Sequence, residues 1–93
     1  MEIVAKIVRI KDTQEVGQNA FKIRNVHVVT EEQYSQTLEV QFVQDKTAEL
    51  DSYKAGDKVR IQINLKGKEV TKDNGDIAVY NTVAGWKIEK LAQ

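Results

Sequence analysis

Five segments of this 93-residue chain alternate apolar and polar residues with the two-residue period of a half-buried strand, and no proline interrupts any of them. One stretch with helical spacing lies between the third and the fourth. The order is β-β-β-α-β-β. Residues 2–11 hold Ile3, Val4, Ile7, Val8 and Ile10 in a first strand whose alternation slips once, the sign of a bulge. Residues 12–20 are polar, contain Gly17 and read as the loop between strands 1 and 2.

In the second strand, residues 20–30, Phe21 and Ile23 alternate with Lys22 and Arg24, which predicts the apolar pair inside and the cations outside. The third strand, residues 37–43, alternates Leu38, Val40 and Phe42 with Glu39 and Gln41. Residues 44–54 have Leu50 and Tyr53 three apart, an acidic start at Asp45 and the stop Gly56, and predict a helix of about three turns plugging one barrel end. The fourth strand, residues 58–66, has the cleanest alternation: Val59, Ile61, Ile63 and Leu65 inside, Lys58, Arg60, Gln62, Asn64 and Lys66 outside. An Asn74-Gly75 turn links it to the last strand, residues 77–91, where Gly85 is the expected bend. Residues 1–93 are thus read as a single all-β domain, a five-stranded OB-type barrel with one short helix between strands 3 and 4.

Composition narrows function mostly by exclusion. Fourteen basic residues balance fourteen acidic ones, so the overall basicity of an easily recognised nucleic-acid binder is missing. The balance is uneven: residues 1–30 carry a net +2, residues 31–57 a net −5 and residues 58–93 a net +3. With no cysteine there is neither disulfide nor thiolate metal site, and the single histidine, His27, reads as an ordinary strand residue. No nucleophile stands in a recognisable motif with a histidine and a carboxylate, and no Gly-rich phosphate loop precedes a helix. An enzyme is not expected, nor any cofactor or metal. No apolar run reaches membrane-spanning length and no basic segment leads into an apolar one near residue 1, so a cytoplasmic protein is expected.

Four stretches carry a family resemblance: residues 30–34 (TEEQY), 42–46 (FVQDK), 53–59 (YKAGDKV) and 81–89 (NTVAGWKIE). Together they resemble a bacterial OB-fold family of unknown function, itself similar to single-stranded DNA-binding proteins, and the resemblance covers nearly the whole chain. It implies an OB fold and binding of single-stranded DNA or RNA. In those DNA-binding proteins, aromatic residues on the third strand and at the start of the loop between strands 4 and 5 stack on bases; here the matching positions hold Leu38 and Val70. A shift of one residue would put Glu39 in place of Leu38. Their acidic C-terminal tail has no counterpart in residues 91–93 (LAQ).

The expected nucleic-acid-binding residues are Lys22, Arg24, Arg60, Lys66 and Lys68 on phosphates, with Tyr80 and Trp86 supplying stacking. A module for protein interaction or self-assembly, keeping the barrel without binding nucleic acid, is the alternative. A homodimer or homotetramer fits either reading.

Overall fold

The computed structural model describes residues 1–92. Its strands are β1 (Glu2–Ile10), β2 (Gln14–Val16), β3 (Phe21–Thr30), β4 (Thr37–Val43), β5 (Lys58–Thr71) and β6 (Ile77–Lys90), with helix α1 (Lys46–Glu49) between β4 and β5. The sheet order is β1-β5-β6-β4-β3-β2, and a further pairing of β1 with β3 closes the first five-strand circuit into a ring. All its pairings are antiparallel except β4 with β6, a parallel junction of two residue pairs, Val40 with Val83 and Gln41 with Ala84. The expected five-stranded ring with one short helix is therefore present.

β1 serves two neighbours because it changes direction. Its first half pairs with β5 and its second with β3, and the register slips at Val8, where the alternation of the sequence also slips. The extra residue keeps Ala5 and Ile7 inside and brings Ile10 opposite Val26. Gly56, with φ 94°, and Asp57 hold this bend: Gly56 N donates to Ile7 O at 2.8 Å, and Ile7 N donates to Asp57 O at 2.9 Å. The Asp57 carboxylate is buried and accepts from Lys54 N at 3.0 Å. Gly56 and Asp57 thus latch β1 to the chain entering β5.

The core comprises Ala5, Ile7, Val26, Val28, Val40, Phe42, Leu50, Val59, Ile61 and Ile63. Leu50 fills one end of the ring as expected, but the helix is shorter than three turns. A left-handed Gln44 (φ 53°) delays it, no side chain caps it, and after Glu49 it tightens into a 3-10 turn over Leu50–Ser52.

Three other expectations are corrected. β3 has the opposite facing: Arg24 lies opposite Phe42, and Val26 opposite Val40, so the even-numbered residues share the core side. Phe21 and Ile23 face outward, and Phe21 is 38% exposed rather than buried. Residues 12–20 are not all loop, since β2 folds back along the edge of β3 beyond the end of β1 and turns at Gly17. Finally, β5 runs on to Thr71, and from Asn64 onward every residue is exposed; Leu65 is not core. With β6 it forms a two-stranded arm projecting from the ring. The Cα radius of gyration is accordingly 14.8 Å, against about 12 Å for a compact domain of this length.

Candidate nucleic-acid interface

Each residue of β5 from Ile63 to Thr71 pairs in order with one of β6 from Gly85 back to Ile77. Ile63 and Gly85 point into the core, so alternation gives the arm two distinct faces. The inner face continues the core side and carries Leu65/Val83, Gly67/Asn81, Glu69/Val79 and Thr71/Ile77 as cross-strand pairs. The outer face carries Asn64/Ala84, Lys66/Thr82, Lys68/Tyr80 and Val70/Ala78. It holds two lysines and a tyrosine, and no carboxylate.

The sequence-predicted residues do not all come together. Lys66, Lys68 and Tyr80 come together on this outer face, with Lys68 directly opposite Tyr80. Arg24 and Arg60 are engaged elsewhere. Beneath α1, Arg24 Nη1 lies 2.7 Å from Asp51 Oδ1 and donates to Thr47 O at 3.0 Å, while its Nε donates to Lys11 O at 2.8 Å. Arg60, at the base of the arm, lies between two carboxylates: its Nε is 3.3 Å from Glu2 Oε2 and its Nη1 3.4 Å from Glu89 Oε1. Lys22 is exposed opposite Glu15 of β2. Trp86, 48% exposed, is the extra residue of a β6 bulge, set between Gly85, which pairs with Ile63, and Lys87, which pairs with Gln62.

The bulge resets the facing of β6, so that Ile88 lies opposite the buried Ile61 instead of sharing a face with Tyr80. Gly85 is buried against the Phe42 ring: a Cβ built on it would lie 2.5 Å from Cζ. The two strands meet this closely because that position has no side chain.

The outer surface continues from the arm across the ring. Ala84 is beside Gln41 of β4, and Val43 is opposite Ile23 of β3, which is opposite Gln14 of β2. Phe21 and Val16 pair at the far end, completing with Ile23 and Val43 an apolar patch on the outer face. Phe21 is thus an outward aromatic that reading it as core had missed. The signal was present, because the apolar pairs 21/23 and 26/28 have opposite parity and only one can face inward.

β4 presents no aromatic on this surface: Leu38 points inward, and the outward Glu39 accepts from His27 Nε2 at 2.6 Å. His27 Nδ1 accepts from Arg9 Nη1 at 2.7 Å, so Arg9, His27 and Glu39 form a polar row across β1, β3 and β4. At the ring's plugged end, burial pushes the Tyr53 hydroxyl pKa up, with the charges of Glu49, Glu89 and Asp57 adding to the shift. This hydroxyl donates to Ile88 O at 3.2 Å.

Among the described residues, no three His, Asp or Glu side chains converge to hold a metal, and no helix is long and apolar enough to cross a membrane. No curated protein matches the chain in sequence. Among solved structures, the mitochondrial single-stranded DNA-binding protein Rim1 of S. cerevisiae superposes with a TM-score of 0.72 at 14% identity, over 98% of this chain and 92% of that one. The likeness establishes the OB fold. Residues 2–89 match the model of the family described as a domain of unknown function, DUF3127, and the chain belongs to that family.

Proposed function

We propose that this chain binds single-stranded nucleic acid along the outer surface that runs from the arm to the β2–β3 ribbon. The observation that carries the reading is the carboxylate-free outer face of the arm, where Lys68 stands opposite Tyr80 and Lys66 opposite Thr82 next to it. Two lysines on one strand face stand about 7 Å apart, so both phosphate neutralisation and base stacking are available within one short stretch of ligand. From there the ligand passes Ala84 and Gln41 to the patch of Val43, Ile23, Val16 and Phe21, with Trp86 beside the route. Phe21 supplies the second stacking platform. Arg24 and Arg60 stay in their ion pairs and are structural. Rim1, which has the same fold, is a single-stranded DNA-binding protein, and that likeness is consistent with this reading.

The test is fluorescence anisotropy of a labelled oligothymidylate at low and moderate salt. Binding by the native chain should weaken with salt, and Lys66→Glu with Lys68→Glu should lower the log–log salt slope by about 1.4, two single-strand phosphate contacts. Phe21→Ala should cost about 1–3 kcal/mol of affinity, the worth of one stacked base. No binding at low salt would overturn the proposal.

A further inference from the structure

An uncharged row crosses the outer surface at the point where the arm meets the ring. Asn64 of β5 lies opposite Ala84 of β6, Ala84 beside Gln41 of β4, and Gln41 opposite Asn25 of β3. Ala84 has only a methyl group, and the carboxamides of Asn64 and Gln41 stand on the two neighbouring strands, about 5 Å away on either side. The sheet therefore has a shallow notch walled by two amides. Amides nearby are engaged: Gln62 Nε2 donates to Glu2 Oε1 at 2.8 Å, and Gln44 Oε1 accepts from Lys22 N at 3.2 Å. Those of Gln41 and Asn64 have no hydrogen-bond partner among the described residues. Asn25 Oδ1 is shielded from solvent and is also unpartnered, a condition that calls for an explanation.

Building on the proposed binding of a single strand along this surface, we infer that the notch reads one base of that strand and that the base is adenine. A carboxamide presents an acceptor oxygen and a donor N–H side by side, the combination Asn and Gln use on adenine. An unpaired base exposes both its Watson–Crick and its Hoogsteen edge. Adenine carries the matching donor–acceptor pair on both, N6–H with N1 on one and N6–H with N7 on the other. Cytosine and thymine have one such edge and carbon on the next, and the second edge of guanine holds two acceptors, O6 and N7. Adenine alone engages both amides with two bonds each. The Cα atoms of Asn64 and Gln41 are about 10 Å apart, so the two side chains meet one base by leaning over Ala84. Gln41 Nε2 has a second hydrogen, and Asn25, directly opposite in the ladder, has the acceptor for it. That bond satisfies the shielded oxygen and turns the other edge of the Gln41 amide to the notch. The row has no cation, so the discrimination it adds does not depend on salt, unlike the contacts of Lys66 and Lys68.

Anisotropy titrations of a labelled oligothymidylate, with and without a single central deoxyadenosine, test this. The adenine strand should bind about five-fold tighter or more, the low end for one bidentate pair, and the ratio should hold from low to moderate salt while both affinities fall. On the native chain, 7-deazaadenine, which lacks only the N7 acceptor, should forfeit part of the gain, and cytosine or guanine in the same place should give less than adenine. Gln41→Met and Asn64→Ala, each checked for folding by far-UV circular dichroism, should bring the adenine-to-thymine ratio towards one. Gln62→Ala, which removes an amide already held by Glu2, should keep it. Equal, salt-dependent binding of the two strands would overturn the inference and leave the single-strand reading standing. So would a gain shared equally by cytosine and guanine, or a ratio that survives Gln41→Met and Asn64→Ala. Failure of both strands to bind at low salt would overturn the two together.

Discussion

Replacing Gly85 by alanine puts one methyl group where the Phe42 ring already is. The new Cβ would lie 2.5 Å from Cζ, 2.7 Å from Cε1 and 2.9 Å from Cε2, and carbon atoms rest at about 3.5–4.0 Å. The end of the ring must therefore retreat by about 1 Å or β6 must move off β4. Neither is cheap. Phe42 is fully buried in a close-packed interior, and β4 and β6 share only two residue pairs to hold them in place. Overpacking of this kind costs about 1–3 kcal/mol, a sizeable part of the roughly 5–14 kcal/mol expected of a 93-residue domain. Urea denaturation should show that loss, and thermal melting a fall of roughly 5–20 °C. Phe42→Leu shortens the side chain at the clash, so Gly85→Ala should cost less in the Phe42→Leu background, with a coupling of about 0.5–3 kcal/mol in the double-mutant cycle. A loss under about 0.5 kcal/mol, or the same loss in both backgrounds, would refute the claim that close approach to Phe42 is what requires glycine there.

Arg24→Met should cost about 2–3 kcal/mol in urea denaturation, since it leaves Lys11 O and Thr47 O without their charged donor. Asp51→Asn removes only the exposed partner and should cost under about 1 kcal/mol; equal losses would contradict a clamp centred on the two carbonyls. Ala20 has φ 53° in the turn before β3, so Ala20→Gly should raise stability by up to about 1 kcal/mol, and an unchanged or lowered denaturation midpoint would count against strain there. The raised Tyr53 pKa has a defined sign: the folded state holds the phenol proton more tightly than the unfolded state, so this contribution is complete below pH 10.0 and is lost as pH climbs through the folded-state value. Tyr53→Phe should flatten the alkaline fall in stability, and parallel native and variant curves above pH 10 would refute the assignment.

The number and order of the ring strands were legible because each carries enough alternation to reveal itself, and the slip at Val8 even marked the β1 bulge. Parity within β3 was readable but ambiguous, because Phe21/Ile23 and Val26/Val28 make opposite claims on the core and only the neighbouring strands decide between them. β2 is three residues long, and its turn uses a left-handed alanine that no local preference signals. Leu65 looked like core because alternation shows which side a residue faces but not where the core ends. Of the candidate site, Lys66 and Tyr80 lie on β5 and β6 as their own alternation implied, whereas Lys68 joins them only because β5 runs on past residue 66 to Thr71. Arg24 and Arg60 looked equally outward, yet Asp51, Glu2 and Glu89 are 27, 58 and 29 positions away, separations over which no short-range pattern reports.

The parallel junction of β4 with β6 also governs how the ring comes apart. Every other junction is an antiparallel ladder of five or more residue pairs, and β5 with β6 is zipped from the ring to the end of the arm. Parting β4 from β6 sacrifices two pairs and leaves an open sheet in the order β4-β3-β1-β5-β6 with its remaining ladders whole. The ring therefore has a built-in seam. Of the amide protons at Val40, Gln41, Val83 and Ala84, those that point across the seam should exchange through that local opening ahead of those in the β1–β5 ladder, and in refolding the seam should be the last junction to shut, since only two pairs repay its closure.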